Sequence, residues 1–333
     1  MTERLPTFSV VIPTFDRAEV VENTLRHLRS QTYPASRYEV IVVDNSRDGT
    51  PEMVRRVAAE PGCAIRLLAD APRLPAVKRN LGLRAATGEL VLFLNDDVWA
   101  RPEFIAEHAR SHAASSEPIA VVGHVEQSPR MPRTPFITSY QPFAYSEIQH
   151  RGDAPVPWRY FWSMNVSLPR DEMIGRNLVF HEDWSEIGHE DVELGYRWSR
   201  AGRAIVYNPR AWVEHYHPHT VASAARLQES IGRGLRDLEM LVPEPDLLGR
   251  YGIFSWRSSP RAVVRGLVRR ALFNALTAPR LVAWLDTRTT PSRLQTWLYW
   301  KVLLHYTNRG YALASRRAPR PLQTLPPAGA AAR

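Results

Sequence analysis

What most constrains this chain is an alternation, over its first hundred residues, of short apolar runs with stretches of helical spacing. Phe8-Ser9-Val10-Val11-Ile12-Pro13, Glu39-Val40-Ile41-Val42-Val43 and Leu90-Val91-Leu92-Phe93-Leu94 read as buried strands, with Ile65-Arg66-Leu67-Leu68 as a weaker one. Between them Ala18 to Ser30, Pro51 to Ala59 and Ala76 to Ala86 place apolar residues on one helical face. Strand and helix in alternation predict an α/β fold, a mostly parallel sheet with helices on both faces. No run is long enough for a transmembrane helix, and the apolar segment near the N-terminus is too short for a secretory signal.

In open parallel sheets ligands bind beyond the carboxyl ends of the strands, so the residues that follow each run matter most. Asn95-Asp96-Asp97 directly follow the run at 90–94. Adjacent carboxylates there suit a ligand or a hard cation, although Asp also favours helix starts and a plain cap accounts for the pair equally. Asp44 ends the second run and opens Asp44-Asn45-Ser46-Arg47-Asp48-Gly49-Thr50. It is placed to accept hydrogen bonds from a base or ribose, or simply to make a turn. The signatures GxGxxG and GxxxxGK[ST] are absent, which counts against NAD-type Rossmann enzymes and P-loop NTPases.

Taken together, Ser9 to Phe15, Val42 to Thr50, Arg79-Asn80-Leu81-Gly82 with Ala86 to Glu89, and Phe93 to Asp97 resemble the family 2 glycosyltransferases of GT-A fold. The resemblance covers about the first two thirds of the chain, with motifs in order. It implies that Pro13, Thr14 and Asp44 line the nucleotide site, with Asp44 on the base. Asn95-Asp96-Asp97 is similar to the N-x-D variant of the family's DxD element. This leaves Asp97 as the ligand of Mg²⁺ or Mn²⁺, with Asn95 and Asp96 beside the donor. Lys78 and Arg79 become neighbours of the phosphates, against the ordinary explanation of a solvated helix face.

Further along, 128–157 is rich in proline and aromatics and reads as an acceptor loop. Phe161 to Leu168 is either core packing or, by the resemblance, the segment beneath the donor sugar, with Trp162 and Asn165 as contacts. Gly188-His189-Glu190-Asp191 opens a helix, where acids are favoured in the first turn. This segment also resembles the family's ED motif, implying Asp191 as general base and Glu190 as a supporting acid. His215, His217 and His219 alternate in an extended segment, which puts imidazoles on one side. His215 matches the family's V-x-H element and is the expected metal or pyrophosphate ligand.

The formal net charge of +9 points to an anionic partner, and the lone Cys63 rules out an intrachain disulfide. A reducing cytoplasm fits, with attachment at the inner face of a membrane. Residues 1–222 are expected to form the GT-A domain and 223–317 a basic, mainly helical extension, with helices at about Val221 to Val242, Pro260 to Thr277 and Pro291 to Arg309. The tail 318–333 is expected to be unpacked. Arginines and Trp284, Trp297 and Trp300 make the extension either a membrane-surface element or a helical cap. The implied activity is inverting, metal-dependent transfer from a nucleotide-diphosphate sugar, UDP or dTDP favoured, to a hydroxyl or amine. A lipid-linked or cell-envelope glycan is among the candidate acceptors. The competing class is a non-catalytic binder of anionic membrane or nucleic acid. Acids at strand ends argue against that class, because they repel phosphate unless a cation intervenes.

Overall fold

The computed structural model describes residues 4–69, 71–140, 147, 148, 152, 154–254 and 260–316. The tail and part of the 128–157 loop lie outside them. The strands are β1 (Phe8–Thr14), β2 (Tyr38–Asp44), β3 (Ala64–Leu68), β4 (Leu90–Leu94), β5 (Val98–Ala100), β6 (Ala120–Gln127), β7 (Asn165–Pro169) and β8 (Ile205–His215). They form one sheet in the order β3, β2, β1, β4, β7, β6, β8, β5. The first four pair in parallel, as helical crossovers require, whereas β7 runs antiparallel to both β4 and β6. Residues such as Val10, Val42, Leu92 and Phe93 are fully buried, which explains why these runs are apolar without alternation.

Strand β8 is one long element that ends in the histidine segment, and its register with β6 shifts between Gly123 and His124. Pairing jumps from Asn208 to Trp212, and Asn208 turns its side chain inward to Glu107 O and Ser111 Oγ. The helix expected from Pro260 to Thr277 stops at Leu272. Asn274 Oδ1 accepts from the N–H groups of Leu276 and Thr277, and a separate helix, Thr277–Asp286, begins there.

The helices Val221–Leu241 and Arg293–Ala314 pack in opposite directions, with Gly232 against the Thr307 carbonyl and Gly310 against that of Glu229. A methyl group at either glycine would fall on the facing backbone. Leu235, Leu238, Val242, Leu247 and Ile253 share the core of the sheet, while Val221, Ala224, Val282, Leu285 and Val302 form a second core with Phe136 and Tyr140. Among the described residues no helix is long and apolar enough to cross a membrane.

Candidate active site

Thr14, Asp44 and Leu94 end their parallel strands at one edge of the sheet. Asn165 of the antiparallel β7 faces Leu94, which brings 161–164 to the same edge. Asp97 is followed immediately by β5, and β5 pairs with β8 so that Val98 faces His215. The N–H of Tyr216 donates to Asp97 O at 2.8 Å. Strand register therefore fixes Asp97 beside His215.

One ligand atom from each of Asp97, His215 and His217 lies within 4.8 Å of the others. His217 Nδ1 donates to Asp97 Oδ2 at 2.7 Å, and His215 Nε2 lies 3.5 Å from Asp97 Oδ1. That Oδ1 is buried and has no hydrogen-bond partner among the described residues, which is costly for a carboxylate oxygen unless a ligand completes it. Burial alone would raise the Asp97 pKa, but His215, His217 and Arg17 outweigh it and hold the carboxyl well below the usual range. An ionised carboxylate with two imidazoles suits a first-row divalent cation and leaves positions open for other oxygens. The residues present therefore fit a metal, and His217 joins the expected His215. His219 stacks on His217 at 4.2 Å, and its pKa is lowered to about 4 by burial and by the adjoining imidazoles.

The cap reading of Asp96 and Asp97 fails because the next element is a strand. Asp96 instead accepts from Thr14 Oγ1 at 2.8 Å and from Arg17 Nη1 at 2.8 Å, and the same Nη1 lies 3.0 Å from Asp97 Oδ2. Burial and the neighbouring Asp97 raise the Asp96 pKa to about 6. Asp44 combines both of its readings. Its Oδ1 accepts from Ser46 N–H at 2.9 Å, which closes the turn, while its buried Oδ2 has no partner among the described residues. Lys78 Nζ donates to Thr14 O and Asn45 Oδ1, and burial lowers its pKa against the pull of Asp44 and Asp96.

Arg79, far from a solvated helix face, is 5% exposed. Its Nη1 donates to Glu190 Oε1 at 2.9 Å and its Nη2 to Asn95 Oδ1 at 3.3 Å. Asn80 holds the approach to Glu190 by bonding both backbone groups of Phe180. Glu190 Oε2 accepts from the N–H groups of Gly188 and His189. Burial pushes the Glu190 carboxyl up, but Arg79 and these N–H groups outweigh it, so it stays below its ordinary value. Asp191 takes the opposite shift, to about 6, because burial and the Glu190 charge act together against Arg79. Ser163 fixes its orientation, donating to Oδ2 from N at 3.1 Å and from Oγ at 3.3 Å. Two adjacent carboxyls with divergent pKa values are the usual mark of divided acid and base roles.

Not every expected residue reaches this edge with a free group. Asn165 is a correction. Its Oδ1 accepts from His108 Nε2, and its Nδ2 donates to the carbonyls of His124 and Ala211, which commits the side chain to the sheet interior. Trp162 packs beside Tyr160 at 5.8 Å, and Pro13 is partly buried and paired with Val43. Arg17, Ser163 and Tyr251 were not singled out from the sequence. Arg17 carried a weak signal, since it follows the first strand at the same edge. Tyr251 carried none, and the Asp191 charge near it helps burial to raise its phenol pKa.

Residues 9–166 match the family model described as Glycosyl transferase family 2. Validoxylamine A glucosyltransferase from Streptomyces hygroscopicus subsp. jinggangensis is 31% identical over 269 residues, covering 73% of this chain and 64% of that protein. The chain thus spans less than two thirds of that relative's length. A mannosyltransferase from Pyrobaculum calidifontis, solved with GDP-Man and Mn²⁺, superposes with a TM-score of 0.61 at 21% identity, covering 93% of this chain and 88% of that one. TarS from Staphylococcus aureus, solved with UDP-GlcNAc, gives a TM-score of 0.53 at 15% identity, covering 94% and 93%. These structures share the GT-A fold.

Proposed function

We propose that this chain, a member of glycosyl transferase family 2, moves a hexose from a nucleotide-diphosphate sugar to an acceptor hydroxyl or amine with inversion at the anomeric carbon. The observation that carries this reading is the Arg79 bridge, which joins the Asn95-Asp96-Asp97 element to Glu190-Asp191 and puts a cation-competent cluster and a tuned carboxyl at one sheet edge.

Asp44 Oδ2 accepts the ring N–H of uracil or thymine, hence the preference for UDP or dTDP donors. Asp97, His215 and His217 would hold the cation, and their mixed oxygen and nitrogen set favours Mn²⁺ over Mg²⁺. Once bound, a divalent cation neutralises the charge that develops on the leaving diphosphate. Asp191, oriented by Ser163, removes the acceptor proton as the nucleophile attacks from the face opposite the diphosphate. Glu190 stays ionised on Arg79 and so raises the basicity of Asp191. A binder without catalysis gives no reason for this pair.

For the acceptor, the reading extends to a lipid-linked or envelope-associated molecule reached from the inner face of an anionic membrane. On helix Pro260–Leu272, Val264, Leu267, Val268 and Leu272 share one face, and all are more than 40% exposed. Arg261, Arg265 and Arg270 flank them with no ion-pair partner among the described residues. A cap facing water alone does not need such a face.

A thermal-shift series with UDP, dTDP and GDP sugars, each with and without Mn²⁺, tests the donor assignment, because a ligand of the native state raises Tm. A Mn²⁺-dependent rise with a UDP or dTDP sugar is expected. No rise with any nucleotide would remove the donor reading.

A further inference from the structure

The group standing between the two aspartates is not a neutral filler but a cation supplied by the chain. Arg17 Nη1 lies 2.8 Å from Asp96 Oδ1 and 3.0 Å from Asp97 Oδ2, while Nη2 lies 3.3 Å from His217 Nδ1. It therefore touches two of the three residues that would hold the metal. Asp97 Oδ2 is shared between Arg17 and His217, and a proton on His217 Nδ1 satisfies that oxygen. A divalent cation needs an unprotonated imidazole nitrogen and a carboxylate oxygen free of competing donors. Asp97 Oδ1 stays open, but a cation that also draws on Asp97 Oδ2 or His217 Nδ1 needs atoms the guanidinium occupies, and one on Oδ1 alone shares its carboxylate with a second positive charge.

Arg17 is also built to move. It directly precedes helix Ala18–Arg29, and its backbone N–H reaches Thr50 Oγ1 at 3.3 Å, so its backbone is anchored independently of its side chain. The side chain is 27% exposed, against 3% for Asp97, which leaves it a way toward solvent.

We infer that Arg17 is an internal counter-ion that holds the cation's place beside Asp96 and Asp97, and that a divalent metal enters only by displacing it. The inference rests on the proposed metal site. Without Arg17 the paired carboxylates of the metal-free protein lose their compensating charge, which destabilises that state and favours the metal-bound one. Displaced from the aspartates, the guanidinium becomes a cation in search of an anion, and a nucleoside diphosphate supplies one at the same edge. Metal and nucleotide then favour each other's binding by the same factor, as linkage requires.

Mn²⁺ binding without donor, followed by the electron paramagnetic resonance signal of the free ion, tests this directly. Arg17→Met should bind Mn²⁺ at least about tenfold more tightly than wild type, equivalent to ~1.4 kcal/mol. Its metal-free form should melt at a lower temperature and gain more from Mn²⁺. Arg17→Lys, which keeps the charge on a side chain without the guanidinium fork, should fall between the two and decides the matter if the Met variant does not fold. Equal or weaker Mn²⁺ binding in the variant, alongside Asp97-dependent binding in wild type, overturns the displacement and leaves the metal site standing. If wild type and variants all fail to bind Mn²⁺ with or without UDP, the metal site falls, and the displacement with it.

Discussion

Arg79 and Glu190 form an ion pair at 2.9 Å in which each side chain is only 6% exposed. Breaking a buried pair from one side leaves an uncompensated charge, at a cost of about 3–5 kcal/mol. Glu190→Gln and Arg79→Met should each lose stability on that scale in denaturant titrations, and the double variant should lose less than the sum. Additive losses would mean that the two side chains do not act as a pair.

Asp191 is predicted to set the pH response. With its pKa raised to about 6, kcat/KM should fall roughly tenfold per unit as pH drops below that value, because the base becomes protonated. Stability moves the other way. The folded chain holds this proton more tightly than the unfolded one, so between about pH 4 and 6 the Asp191 contribution weakens as pH rises. Asp191→Asn should leave donor affinity, measured by titration calorimetry, nearly unchanged while transfer falls by about two to four orders of magnitude. Near-normal transfer would end the base assignment.

The metal set is predicted to need His217 as much as His215. Removing an outer hydrogen-bond partner of a metal ligand typically costs about 10–100-fold in affinity, and losing a ligand should exceed that. His217→Ala and Asp97→Ala should therefore both abolish measurable Mn²⁺ binding at micromolar metal, whereas His219→Ala should retain it. Unchanged binding in His217→Ala would return that residue to a stacking role.

The parallel half of the sheet and the acids at its edge were legible because each strand is a continuous apolar run ending in a polar turn. What was not legible depended on long-range pairing. Nothing in the sequence near Asn165 indicates that its amide would be fully taken up by His108, His124 and Ala211. The three-residue strand Val98–Ala100 is too short to show a period, yet its register is what seats Asp97. The break at Leu272 hid because Asn274 resembles an ordinary helical residue until its side chain is seen to cap the next turn.

The close approach of helices Val221–Leu241 and Arg293–Ala314 gives a stability prediction remote from the chemistry. Gly232→Ala or Gly310→Ala would drive a methyl group into the facing backbone, and overpacking of this kind costs about 1–3 kcal/mol. Thermal melts should show the loss, with donor affinity preserved at low temperature. A melt at the wild-type temperature would show that the helices can separate freely.

For the proposed membrane face, sedimentation with anionic vesicles should be strong at low salt and should weaken as ionic strength rises. Replacing Val264, Leu267 and Val268 by serine should reduce it without altering Mn²⁺ binding. Failure of the wild-type protein to sediment at low salt would make the helical region a structural cap.

The pairing of Val98 with His215 also dictates when in the life of the chain the metal cluster can exist. Asp97 stands between the fourth and fifth of the eight strands and His215 ends the last, so they meet only after that last strand has been made and docked on the sheet. Because long loops close late, a nascent chain ending before Ile205 has a nearly complete sheet but lacks two of the three side chains of the proposed cation cluster. On the proposed metal reading, acquisition of Mn²⁺ binding would work as a clock for the final docking step of synthesis.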